Sequence, residues 1–177
     1  GGSTQNKGVI PDIAMVNIYD DDLGERKAKN ALVWDTISTA AYQRDQSLSP
    51  YFPKLDQQSQ MRQQLDPQFQ YLREIRRIGL LNKDRKELTL HLDQRWLEVK
   101  KIEEATLAAE NARRQATGLT PYANWETYQA AQDALSEQRA KMKRAERPAL
   151  PEDEAYVKEA AQTVVDLIEL QQATPVA

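Results

Sequence analysis

A chain of 177 residues with a net charge of −3 and a pI near 5.4 lacks the basic face that nucleic-acid binding needs. It has no cysteine, which excludes disulfides and thiolate metal sites, and no apolar run approaches the roughly 20 residues that cross a bilayer. A hydrophobic fraction of 40% with a mean hydropathy of −0.75 suits long, partly solvated helices in a chain long enough to bury a core as one domain.

Gly1 to Ile13 reads GGSTQNKGVIPDI. A polar, glycine-rich turn leads into a short apolar stretch, broken at Pro11-Asp12 and resumed as Ile13-Ala14-Met15-Val16. Proline confines a strand here to an edge or a first position, so residues 1–16 are expected to form an edge strand ahead of a chain that otherwise reads as helix. Asn17 to Lys29 is polar and acidic. Its contiguous Asp20, Asp21 and Asp22 lack the alternating ligands, central Gly and closing Glu of a calcium loop, so a solvated connector is expected. Trp34, Ile37 and Ala41 share helical spacing and, with Tyr42, make residues 17–47 a connector that carries a docking patch in preference to a ligand pocket.

Residues 48–171 are expected to be a helical domain, giving a mainly α fold preceded by one short strand. Ser49-Pro50 and Phe52-Pro53 open a helix, because proline is tolerated in the first turn; Leu55, Met61 and Leu65 are its expected apolar positions. Asp66-Pro67 restarts the pattern as N-cap and first helical residue. Phe69, Leu72, Ile75, Ile78 and Leu81 then predict an amphipathic helix over 66–81. Arg73, Arg76 and Arg77 lie off that stripe, and with Glu74 nearby they read as a solvated face and not a phosphate site. Glu87 to Leu92 alternates polar and apolar, which predicts a short extended stretch. His91 is the one histidine, and the sequence offers it no second His, Cys or spaced carboxylate for a metal or for base catalysis.

Asp93 is expected to cap or begin a long helix to Thr117, closed by Gly118. Its stripe of Leu92, Trp96, Val99, Ile102 and Leu107 then fades. The Ala- and Arg-rich half from Ala108 to Gln115 is therefore expected to face solvent or cover a partner. Tyr122, Trp125 and Tyr128 predict an aromatic cluster that pins a loop to a helix capped by Asn124 and running to about Arg147. Pro148 and Pro151 break the chain, and Glu152-Asp153-Glu154 begins the last helix, where the macrodipole favours acid. Tyr156, Val157, Ala160, Val164, Leu167 and Ile168 give that helix a broad apolar face that must pack on something. Residues 172–177 read as a tail.

Gly2-Ser3-Thr4-Gln5, Lys7-Gly8-Val9 and Pro11-Asp12-Ile13, in that order, resemble the closing motif of the protease domain of tail-specific (carboxy-terminal processing) proteases of the long bacterial periplasmic type. Asn30-Ala31-Leu32, Trp34-Asp35-Thr36-Ile37 and Tyr42 resemble the segment that follows it. Similarity continues through Asp66-Pro67-Gln68-Phe69, Lys83-Asp84-Arg85, and Leu88-Thr89-Leu90 with Arg95. It is faint from about Gly118 to Leu150 and returns in the last helix.

The resemblance implies that residues 1–16 end a protease domain and that the helices pack on that domain and on a PDZ domain, both upstream in the same chain. It implies a periplasmic serine endopeptidase with a Ser nucleophile and a Lys base, acting on protein substrates with apolar C-termini. Ser3 and Lys7 match the closing motif and not that dyad, so this segment is expected to carry no catalytic residue, and no metal or cofactor. The expected contact residues are Trp34, Ile37, Tyr42, Trp125 and Tyr128, which serve either docking within the protease or recruitment of a partner such as a lipoprotein adaptor or a cell-envelope substrate.

Overall fold

The computed structural model describes residues 4, 8–18, 27–33, 35–38, 40–41, 48–83 and 85–173. Five helices carry the fold: α1 (Phe52–Leu65), α2 (Pro67–Lys83), α3 (Leu92–Ala116), α4 (Trp125–Lys141) and α5 (Pro151–Ala173), with 3-10 turns at Ser49–Tyr51 and Arg144–Glu146. The mainly α class expected from the sequence holds. Among the described residues no strand forms; residues 8–18 run as irregular chain, with no partner strand there to take up their backbone groups. Asp20 to Asp22 lie outside the described residues.

The breaks between helices follow from local chemistry. A residue before proline is pushed to extended backbone, and Asp66 stands at φ −74°, ψ 124°, ending α1 ahead of Pro67. Its N–H still donates to the Arg62 carbonyl at 2.9 Å, while its carboxylate accepts from the Gln68 N–H at 2.7 Å and caps α2. Gly118 closes α3 as expected: at φ +73° it lets Leu119 N–H reach the Arg114 carbonyl at 2.7 Å and its own N–H reach that of Gln115 at 3.2 Å. Asn124 and Thr127 form a reciprocal capping box at the start of α4. That helix ends at Lys141, short of Arg147: Met142 turns to extended backbone at φ −100°, ψ 148°, and the Arg139 guanidinium donates to the Pro148 carbonyl.

α2 is the central helix, packing on α1, α3 and α5, while α4 packs on α3. Phe69 and Leu72 of α2 meet Ala155 of α5 at the centre of the core, where Phe69 and Tyr156 make an edge-on ring contact at 5.9 Å. Several expected faces turn out differently. In α1 Leu55 is buried, but Met61 and Leu65 are exposed and Ser59 and Gln63 take the inward positions. In α3 the exposed half is the N-terminal one, with Leu92, Trp96 and Leu97 open to solvent. The Ala-rich half, with Ala109, Glu110 and Arg113, is the buried one, since small side chains let α3 approach α2. In α5 the inward face is Ala155, Glu159 and Asp166, leaving Val157, Val164 and Ile168 exposed. The stretch from Glu87 to Leu90 forms no regular element.

Candidate docking site

Among the described residues, the most heavily buried polar side chains, Ser59 and Gln63, meet the segment of residues 14–16. Ser59 and Gln63, one turn apart on α1, are both 0% exposed, and the Gln63 Nε2 donates to the Ser59 hydroxyl at 2.9 Å. Held in that rotamer, the Gln63 amide faces residues 14–16. Its Oε1 accepts from the Val16 N–H at 3.0 Å, and its Nε2 donates to the Ala14 carbonyl at 3.2 Å. Gln60 Nε2 reaches the same carbonyl at 3.3 Å. From α5 the Tyr156 hydroxyl donates to the Val16 carbonyl at 2.8 Å. The side chains of Met15 and Val16 pack on the Phe69, Leu72 and Ala155 cluster. Here side chains supply hydrogen-bond partners to the backbone of half-buried Val16 and exposed Ala14, partners that a neighbouring strand would otherwise give.

Beside this clamp, Arg62 bridges α1 to α5. Its Nη2 donates to Glu159 Oε1 at 2.8 Å and its Nη1 to Asp166 Oδ2 at 2.6 Å, and Nε adds a bond to Glu159 Oε2 at 3.0 Å. The hydrogen bond to Glu159 raises the guanidinium's already high pKa against the opposing effect of burial. Phe69 and Ala155 together with Leu65, Lys158 and Gln162 also line an open cavity of about 310 Å³ next to this ion cluster.

The aromatic cluster forms as expected. Tyr122 and Tyr128 meet edge-on at 5.6 Å and Trp125 tilts against Tyr128 at 5.1 Å. The loop is tied to α3 by the Asn111 amide, which donates to the Tyr122 carbonyl at 2.9 Å and accepts from its N–H at 2.8 Å. Arg114 caps the face of Tyr122 at 4.2 Å. Below it, Arg113 pairs with Glu110 at 2.6 Å and lies 5.5 Å over the Tyr71 ring. Burial pushes the Tyr71 phenol up, with Tyr128 and Glu110 adding to the shift. Burial raises Tyr128 as well.

Residues 18–169 match the family model described as the C-terminal domain of tail specific protease. The chain belongs to this family. A tail-specific protease of Haemophilus influenzae is 35% identical over 123 residues, covering 67% of this chain and 18% of that relative. The match therefore spans less than a fifth of the relative's length.

Within this tail-specific protease domain, the expected contact residues fall in different places. Trp125 and Tyr128 are half-buried in the aromatic cluster, and Ile37 is exposed together with Leu32 and Val33. Trp34 and Tyr42 lie outside the described residues, as do Ser3 and Lys7. His91 is exposed at the start of α3, and among the described residues no group of three or more His, Cys, Asp or Glu side chains could hold a metal ion. Arg77 pairs with Glu74, in keeping with a solvated face. Gln63, Ser59 and the Arg62 cluster were missed because apolar periodicity does not register polar side chains. Their signal was helical spacing of polar residues: Ser59 with Gln63, and Glu159 with Asp166.

Proposed function

We propose that this chain is the non-catalytic C-terminal helical domain of a periplasmic serine protease that degrades or processes proteins from their C-termini. In this reading residues 1–16 leave the protease domain, and the helices pack on the protease and PDZ domains to shape substrate access. The observation that carries it is the clamp on residues 14–16. Residues 14–16 are held against the helices by backbone bonds to buried Gln63 and to Tyr156, which supports a reading in which the segment ahead of the connector is anchored on the helical domain. The much greater length of the Haemophilus influenzae relative is consistent with a polypeptide ahead of that segment. Among the described residues no helix is long and apolar enough to cross a membrane.

A second reading, a helical module that recruits an adaptor or a cell-envelope substrate, draws on the N-terminal half of α3. There Asp93, Trp96, Leu97, Lys100 and Glu103 line an open surface depression. The two readings separate in a cleavage assay on an unstructured protein with an apolar C-terminus. The intact protease is compared with one that stops before Leu48, whose folding is verified by circular dichroism. A folded but inactive truncation is the expected result. Cleavage at the normal rate would favour recruitment, and cleavage by this chain alone would overturn both readings.

A further inference from the structure

We propose that residues 139–147, at the C-terminal end of α4, form a docking patch for an anionic phospholipid surface, with the groove beside Arg139 and Arg147 seating a lipid phosphate. The stretch holds five Lys or Arg residues and one Glu in a chain whose net charge is −3. Its basic character is therefore local, set against an acidic remainder. Arg139 and Lys141 suit the negative end of the α4 dipole. Lys143, Arg144 and Arg147 lie past that end, so helix capping accounts for only two of the five.

Elsewhere the fold uses its cations internally: Arg62, Arg77, Arg85, Arg95 and Arg113 each pair with a carboxylate. Among the described residues no carboxylate pairs with Arg139, Lys143, Arg144 or Arg147, and Lys141 meets only Glu137, at 3.8 Å with both side chains exposed. The acids that follow, Glu152 to Glu154, make no ion pair with the patch, and Asp153 instead accepts from the Leu150 N–H at 3.3 Å. The local chain is set in advance. Arg147 precedes Pro148 and stands extended at φ −68°, ψ 134°. Its Nε donates to the Met142 carbonyl at 3.3 Å, and Arg139 donates to the Pro148 carbonyl.

Each guanidinium thus commits one of its five N–H donors to the backbone and is held in place. Both line an open groove of about 450 Å³ whose walls include Leu135 and Leu150. Two held guanidiniums with donors to spare suit a phosphate group, and exposed Lys141, Lys143 and Arg144 extend the positive surface beside them. An acidic peptide would have to match its spacing to cations that sit largely on irregular chain. A lipid surface offers a dense, laterally mobile array of phosphates that needs no such register, and long cationic stems reach it readily. Neither reading of the proposed function uses this face, so the inference goes beyond both.

The test is flotation of the full chain with vesicles of phosphatidylglycerol and phosphatidylcholine, against vesicles of phosphatidylcholine alone. Binding to the first and not to the second is expected, weakening as salt is raised. Each cation near an anionic surface is worth about fivefold in partitioning, so Lys143→Gln, Arg144→Gln, Arg147→Gln is expected to weaken binding about a hundredfold. The triple change Lys54→Gln, Lys86→Gln, Lys101→Gln removes the same charge from exposed positions elsewhere and is expected to cost less than about fivefold. Circular dichroism checks the helices of both; if the first triple loses them, Arg144→Gln alone takes its place, with a loss of about fivefold expected. At constant ionic strength, inorganic phosphate and polyglutamate are expected to leave the unaltered chain on the vesicles. No binding to the anionic vesicles, or an equal loss in both triple variants, would overturn the inference. So would displacement by inorganic phosphate, which would assign the groove to a free anion, or by polyglutamate, which would assign the patch to an acidic polypeptide.

Discussion

Arg62 shows how much of this fold rests on single polar side chains. It holds two carboxylates, Glu159 and Asp166, whose side chains are each 6% exposed. Removing one partner of a buried ion pair leaves the other charge desolvated, whereas replacing all partners by apolar groups can be close to neutral. Arg62→Met is therefore expected to destabilise the chain by about 3 kcal/mol, the low end of that range, because Arg62 is itself 31% exposed. The triple change Arg62→Met, Glu159→Leu, Asp166→Leu is expected to recover most of the loss. Urea unfolding of the variants tests this, and a single variant within about 0.5 kcal/mol of the parent, the range of ordinary surface changes, would show the cluster to be energetically idle.

At the level of elements, helix ends were far more legible than helix faces. Asp66-Pro67, Gly118, Asn124 and the acidic start of α5 act through short-range backbone chemistry, so a few residues suffice to read them. Which face turns inward depends on partners distant in the chain. Met61, Leu65 and Val157 sit at apolar positions that end in solvent, while Ser59, Gln63 and Glu159 go inside because residue 16 and Arg62 await them. The aromatic cluster was legible because its members are within seven residues of one another, from Tyr122 to Tyr128. The clamp was not, since Val16 and Tyr156 are 140 residues apart. The local rules make a paired prediction. An added Cβ meets nothing within 4 Å at either Gly79 or Gly118, so only backbone conformation decides. Gly79→Ala, inside α2, is expected to raise stability by about 0.5–1 kcal/mol. Gly118→Ala, at φ +73°, is expected to lower it by about 1–2 kcal/mol. Thermal unfolding should move the two variants in opposite directions; shifts of the same sign would contradict the assignment of Gly118 as the left-handed cap.

For the molecule as a whole, α2 joins one half made of α1, α5 and the clamped segment to another made of α3 and α4. Tyr71 on α2 lies where the second half meets it, beside Arg113 and Glu110 of α3 and near Tyr128 of α4. Burial holds both phenols above the ordinary value of 10.0, which gives global stability a defined alkaline limb. A raised folded pKa contributes stability that is fully present below the unfolded value and is lost as pH climbs towards the folded one. Stability is thus expected to be insensitive to these phenols below pH 10.0. Above it, the unfolded chain ionises while the folded phenols stay protonated, so stability falls with rising pH. Tyr71→Phe removes one of the two groups and is expected to flatten that slope, whatever it does to stability at neutral pH. Urea midpoints measured on either side of pH 10.0 test the slope, and an equally steep fall in the Phe variant would mean that Tyr71 ionises no differently in the folded and unfolded chain. Because Tyr71 bridges α2, α3 and α4, its ionisation is expected to report on the docking of that half onto α2, so loss of the α4 aromatic packing should accompany the alkaline transition in near-ultraviolet circular dichroism.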